Sequence, residues 1–289
     1  ERILDLSSMS ARFRYLFTRL VDTLVRLLNR LGEEFAQSQF EPVAFELPIR
    51  MGAEHKPLEL FTPDGFRIVV EGVVDRVDVM KKDGIQYVRV VDYKSGSKEF
   101  KLSDVYYGLN MQMLIYLFSL CNHFEENNHV HNIPAGVLYM PAKDKVLSAD
   151  RDTDEKAAKK AQRKQMKMNG ILLENREVLS AMEADLAGIF IPAKTKKDGS
   201  FDAHSSLATL SQMGKIKGRV ESLIKNLANE LHKGNISAAP VDGNSRYMPC
   251  KWCDYHAICA HEEGDAVRKI TEMDRSAILE LMRKDENDG

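Results

Sequence analysis

The sequence predicts an α/β protein: a mixed central sheet flanked by helices, followed by a helical C-terminal extension. Three observations carry this. Two Val-rich runs, Val70 to Met80 and Ile85 to Lys94, flank Asp83-Gly84, a dipeptide preferred in two-residue hairpin loops because both central residues need positive φ. Apolar residues recur at three- and four-residue steps from Phe13 to Phe35 and again from Val105 to Leu120, the period of an amphipathic helix. A third apolar run, Asn132 to Pro141, reads as a strand reached through a helical crossover.

The elements follow in order. Ser8 to Gln37 reads as one long helix whose stripe of Phe13, Leu16, Phe17, Leu20, Val21, Leu24, Leu27, Leu28, Leu31 and Phe35 is expected to pack into the core. Val43 to Arg50 alternates as a strand, Ala44 and Glu46 against Phe45 and Leu47. Leu58 to Phe61 is a second short strand, Pro63-Asp64-Gly65 a turn, and Phe66 to Glu71 leads into the hairpin. Ser95-Gly96-Ser97 is a loop. Ser103 caps a helix expected from Asp104 to Asn122, on which Gln112 and Tyr116 share a face and Cys121 is a buried structural thiol.

Beyond the third strand the pattern turns helical. Asp152 to Met168 reads as a charged helix opened by Asp152 with Glu155 three residues on. Lys156, Lys159, Lys160, Arg163, Lys164 and Lys167 lie mostly on one of its faces. Such a run is usually a solvated face; the alternative is an arm tracking nucleic-acid phosphates. Arg176 to Gly188 and Leu207 to Lys233 read as two more helices, joined by a basic loop from Pro192 to Asp202. Residues 1–149 would then hold the N-terminal helix and the sheet, and residues 150–289 a helical extension packed on them as one domain.

The hairpin carries the chemistry. With Asp83-Gly84 as its loop, Lys82 faces Ile85, Met80 faces Tyr87 and Asp75 faces Asp92. Facing Cβ atoms lie about 4.5–5.5 Å apart, so two carboxylates sit side by side, and Lys94 points to their face. The other residues of that face, Val73, Val77, Val79, Val88 and Val90, are expected in the core. Adjacent carboxylates repel unless a proton or cation intervenes, and oxygen-rich sites suit Mg²⁺ or Mn²⁺. On the opposite face Asp78 meets Arg89 and reads as half of a cross-strand ion pair. A one-residue slip would undo the pairing of the two acids.

Composition sets bounds. The 289 residues suffice for one large domain or two small ones, and 44% hydrophobic with 29% charged residues is ordinary for a globular protein. No run of eighteen apolar residues and no basic-then-apolar leader is present. A net charge of −2 excludes a uniformly basic coat and leaves nucleic-acid binding to local patches. No G-x-x-x-x-G-K-[S/T] loop occurs, so an ATP motor is not expected within this stretch. The chain opens at Glu1 without a methionine and reads as a piece of a longer, cytoplasmic protein.

Gly72-Val73-Val74-Asp75-Arg76-Val77-Asp78, Asp92-Tyr93-Lys94-Ser95-Gly96 and Gln112-Met113-Leu114-Ile115-Tyr116 resemble the PD-(D/E)xK nucleases of the RecB type, most closely the nuclease domain of AddB-type helicase/nucleases. The resemblance implies a restriction-endonuclease-like fold. It implies that Asp75 and Asp92 bind Mg²⁺ or Mn²⁺, that the Tyr93 carbonyl joins them, and that Lys94 orients the attacking water and the scissile phosphate. Gln112 and Tyr116 match the Q-x-x-x-Y helix that borders the site in that family. The implied activity is metal-dependent DNA exonuclease cleavage during double-strand-end processing for recombinational repair, beside an AddA-like helicase partner. The DNA arm would use Lys156, Lys160, Arg163 and Lys167. Two rival readings stand: a silent DNA-end-binding scaffold of the same fold, and a stand-alone RecB-like exonuclease. The upstream histidine of the family has no counterpart before His55.

Cys250, Cys253 and Cys259 form C-x₂-C-x₅-C, three thiols close enough to converge on one centre. Clustered thiols fit metal binding better than a secreted disulfide framework. A four-iron cluster needs four cysteines, whereas Cys250, Cys253, His256 and Cys259 would make a Cys₃His zinc site. The cluster is preferred because the zinc set crowds all ligands into one turn. AddB-type nucleases have three cysteines of this spacing after the core and a fourth upstream, which implies a [4Fe–4S] staple. No cysteine precedes Cys121, so the fourth ligand is expected before Glu1.

Overall fold

The computed structural model describes residues 9–96, 99–128, 131–142, 154, 163–242, 250, 253–262 and 264–285. The chain divides into two compact units interleaved in sequence. One comprises Glu1–Pro48, Val73–Phe100 and Leu120–Leu210; the other comprises Ile49–Gly72, Lys101–Ser119 and Ser211–Gly289.

The first unit is built on a six-stranded sheet of order β1-β4-β5-β6-β7-β8, with β1 Glu41–Ile49, β4 Gly72–Lys82, β5 Ile85–Lys94, β6 His131–Pro141, β7 Asn169–Leu173 and β8 Leu207–Ala208. Asp83 and Gly84 both adopt positive φ, 50° and 77°, so β4 and β5 close as the expected tight hairpin. Its register is the expected one from Arg76↔Val91 to Lys82↔Ile85. β5 then pairs with β6 in parallel, β6 with β7 antiparallel and β7 with β8 in parallel, which makes the sheet mixed. β7 is not among the expected elements: its five residues follow directly on the run that reads as a charged helix.

The long N-terminal helix is present as α1 Ala11–Phe35, with Ser10 as N-cap, its side chain accepting from the Phe13 N–H. Its packing differs from the expectation. Leu16, Leu20 and Leu28 are 52%, 56% and 64% exposed, while the helix residues that are fully buried are Arg30 and Glu34. Leu27 and Leu31 pack on the core beside them. The helix meets the sheet near its C-terminal end, where Glu34 reaches Arg76 and Arg89. In β1 the alternation slips where Glu46 takes a φ of 49°, so Phe45 and Glu46 both face outward. Val73 is also 48% exposed rather than core, whereas Val77, Val79, Val88 and Val90 are buried.

The apolar core of this unit lies between the sheet and the segments around α4 Arg176–Met182, where Met80, Val91, Leu138, Met140, Leu172, Leu179 and Met182 interlock. α4 stops at Met182, short of the expected Gly188. Beyond its end the buried Glu183 carboxylate accepts from the backbone N–H groups of Ile189, Phe190 and Ile191 at 2.8, 2.9 and 3.1 Å, the last of them buried and in need of an acceptor.

The second unit contains the hairpin of β2 Leu58–Phe61 and β3 Arg67–Val70, the helix α5 Leu210–His232, and the paired β9 Val241–Asp242 and β10 Arg268–Lys269. The helix expected from Asp104 to Asn122 is two helices, α2 Leu102–Tyr106 and α3 Gln112–Asn128. Gly108 and Asn110 at φ 85° and 54° break it, since αL residues cannot continue a right-handed helix. The Arg219 guanidinium of α5 donates to the Tyr106 carbonyl at 3.0 and 3.2 Å and lies 4.3 Å from the Tyr106 ring centroid. The short α6 His256–Cys259 and α7 Arg275–Asp285 also belong to this unit. The charged helix expected over Asp152 to Met168, with Lys156 and Lys160, falls mainly outside the described residues; a helical turn remains at 163–165.

Candidate active site

Strand alternation separates two faces of the β4–β5 hairpin. One carries Asp75, Asp92 and Lys94 above Val77, Val79, Val88 and Val90. The other carries Arg76, Asp78 and Arg89.

The acid-bearing face lies where the hairpin ladder ends. Arg76↔Val91 is the last paired step. One step further, the Asp75 carboxylate accepts from the Tyr93 backbone N–H at 2.9 Å. A backbone donor leaving a ladder needs a new acceptor, and Asp75 supplies it. Its carboxylate is thereby fixed one peptide bond from Asp92. Asp92 is buried, and the Lys94 ammonium lies 2.5 Å from its Oδ2. Lys94 also sits 5.7 Å from the ring centroid of Tyr139, whose residue pairs with Asp92 across the parallel β5–β6 step. The structure thus brings Asp75, Asp92, Tyr93 and Lys94 together at the carboxyl end of β5.

Gln112 opens α3, and its side-chain amide donates to the Tyr116 hydroxyl at 3.0 Å. That hydroxyl reaches the backbone of Gly72, at the start of the strand bearing Asp75. A Cβ at Gly72 would overlap the hydroxyl and lie 2.7 Å from Tyr116 Cζ, so the close approach requires glycine.

The opposite face holds four fully buried charged side chains. Arg76 donates to Asp78 through Nε and Nη2, both at 2.8 Å, and to Glu34 of α1 at 3.3 Å. Arg89 donates to Asp78 at 2.9 and 2.5 Å and to Glu34 at 2.9 Å. The expected Asp78–Arg89 pair exists, inside a larger network. Burial acts against the Arg76 charge, but Asp78 and Glu34 more than offset it, so the guanidinium pKa is raised above its ordinary value. Sequence reasoning missed Glu34. The available signal was two charged residues, Arg30 and Glu34, at the helical steps of Leu27 and Leu31.

The remaining candidates are scattered. Arg163 pairs with Glu33 at 3.5 Å, and Lys167 is half-buried, its pKa lowered by that burial with Lys194 and Lys164 adding to the effect. Cys250 is half-buried, and Cys253 and Cys259 are exposed free thiols. Turns link them, the Cys253 N–H donating to the Cys250 carbonyl and the His256 N–H to the Cys253 carbonyl. Cys121 is buried, as expected. Among the described residues no three His, Cys, Asp or Glu side chains are gathered to hold a metal. The Asp75–Asp92 end is a different case, because two carboxylates and the Tyr93 peptide carbonyl make a hard, all-oxygen donor set of the kind Mg²⁺ takes.

The sequence pattern of the PD-(D/E)XK nuclease superfamily matches residues 1–260. The chain belongs to that superfamily. Nucleases of this superfamily use divalent metal ions, and its match runs through both compact units and includes every acid and lysine of the site. The chain is also similar to proteins named as the B-type subunits of ATP-dependent helicase/deoxyribonucleases. It is 37% identical to that of Acetivibrio thermocellus over 86% of this chain and 22% of the relative. With Clostridium acetobutylicum the identity is 32% over 96% and 24%, and with Clostridium tetani 31% over 99% and 26%. The chain spans about a quarter of the length of these relatives. Among the described residues no helix is long and apolar enough to cross a membrane.

Proposed function

We propose that this chain is the nuclease region of an AddB-type helicase/deoxyribonuclease and hydrolyses DNA phosphodiester bonds with a divalent cation, Mg²⁺ or Mn²⁺. The observation that carries the reading is the gathering of Asp75, Asp92 and Lys94 around Tyr93 on one sheet face. Asp75 and Asp92 would hold the cation with the Tyr93 carbonyl. When bound, the ion supplies Lewis-acid polarisation of a phosphoryl oxygen and a lowered pKa for water. Lys94, already held at the site by Asp92, places positive charge where the phosphoryl group gains negative charge in the transition state. Gln112 and Tyr116 match the Q-x-x-x-Y pattern of the superfamily and are kept as candidate site residues.

The superfamily match covers sequence from both units, which supports reading the whole stretch as nuclease. The relatives are named as subunits, which supports a helicase partner, AddA-like, and with it a role in processing double-strand ends for recombination inside the cell. The thiols Cys250, Cys253 and Cys259 have the spacing of three ligands of a [4Fe–4S] cluster; a fourth thiolate is needed to complete it. Lys156, Lys160, Arg163 and Lys167 remain the candidates for contact with the DNA backbone.

The test is cleavage of linear DNA with Mg²⁺ by the wild type and Asp92→Ala, with DNA-end binding measured in parallel. The substitution should lower the cleavage rate by at least about a hundredfold and leave end binding in place. End binding with no Mg²⁺-dependent cleavage by the wild type would overturn the reading in favour of a scaffold.

A further inference from the structure

We propose that Arg76 and Tyr93 are positioning residues for the metal-binding carboxylates, the Tyr93 hydroxyl tying the end of β5 to the buried charge network behind the sheet. The inference rests on the reading of Asp75 and Asp92 as metal ligands.

Neighbours along a strand point to opposite faces. In Asp75-Arg76 and in Asp92-Tyr93 the acid therefore faces the site and its neighbour faces back. Tyr93 is gripped on both sides. On the site face its N–H is held by Asp75 at 2.9 Å. On the back face its hydroxyl accepts from Arg76 Nη1 at 3.1 Å. Both grips come from one dipeptide of β4, so they fix the two strand ends against each other where the ladder has stopped.

The back grip is rigid. Arg76 has Nε and Nη2 fastened to Asp78 and Nη2 also to Glu34, and it lies 5.0 Å from the Phe35 ring centroid. A planar guanidinium held at two corners cannot swing, so its third corner presents Nη1 to Tyr93 in one place. The Tyr93 ring packs on the apolar core. With hydroxyl and N–H both fixed, the peptide joining Asp92 to Tyr93 and the Tyr93 carbonyl are fixed as well. Metal sites depend on such outer groups, whose loss typically weakens metal binding about 10–100-fold.

The experiment titrates Mn²⁺ into the full chain and follows the paramagnetic resonance signal of the free ion. It compares wild type, Tyr93→Phe, Asp75→Asn and Asp92→Asn, with urea denaturation of each. Tyr93→Phe deletes only the hydroxyl. It should weaken Mn²⁺ binding about tenfold, and saturating Mn²⁺ should restore the wild-type cleavage rate. Wild-type Mn²⁺ affinity in Tyr93→Phe beside a large loss in Asp92→Asn overturns the tether alone. So does a cleavage rate that saturating Mn²⁺ fails to restore. Unchanged Mn²⁺ binding in both Asp75→Asn and Asp92→Asn overturns the metal reading itself.

Discussion

Asp78→Asn tests the buried network most directly. Asp78 accepts four charge-assisted hydrogen bonds, two from Arg76 at 2.8 Å and two from Arg89 at 2.9 and 2.5 Å. With Glu34 it balances the two arginines, so the network is neutral. The substitution leaves one uncompensated positive charge away from water and turns an N–H group toward guanidinium donors. An opposite charge pair about 4 Å apart is worth roughly 4 kcal/mol at an effective dielectric of about 20. Removing one partner of a buried pair costs about 3–5 kcal/mol. Against a total stability of about 5–15 kcal/mol the loss is large. In urea, with a slope of about 2 kcal/mol/M, the unfolding midpoint should fall by about 2 M. Adding Arg89→Met removes the surplus charge and should recover part of the loss. The arginine side adds no pH dependence near neutrality. A raised folded pKa contributes stability that is complete below the unfolded arginine value and is lost only as pH rises through the higher folded one. The deficit should therefore be flat between about pH 6 and about pH 9. A loss under about 1 kcal/mol would refute the view that these charges depend on one another.

Two further outcomes follow from the same geometry. Gly72→Ala should cost about 1–3 kcal/mol of stability through overpacking against Tyr116 and reduce cleavage; Tyr116→Leu in the same chain should return much of the stability, read by thermal melting. If the thiols hold a cluster, purified protein with an intact ligand set should contain iron and acid-labile sulfide that Cys253→Ser removes; zinc without iron would favour the Cys₃His alternative.

The hairpin and the placement of its two acids and lysine were legible in the sequence because the information there is local. Asp83-Gly84 demands a tight turn, the turn fixes register, and a period of two then puts Asp75, Asp92 and Lys94 on one face. The break between α2 and α3 was less legible, since Gly108 and Asn110 interrupt a pattern that apolar spacing alone would continue. The packing of α1 was not legible at all. Periodicity finds a helix and its apolar stripe, but which face is covered depends on what arrives from elsewhere in the chain. Glu34 is buried because Arg76 and Arg89, 42 and 55 residues away, meet it and neutralise it. A charge enters a core only where tertiary structure brings the opposite charge to the same place.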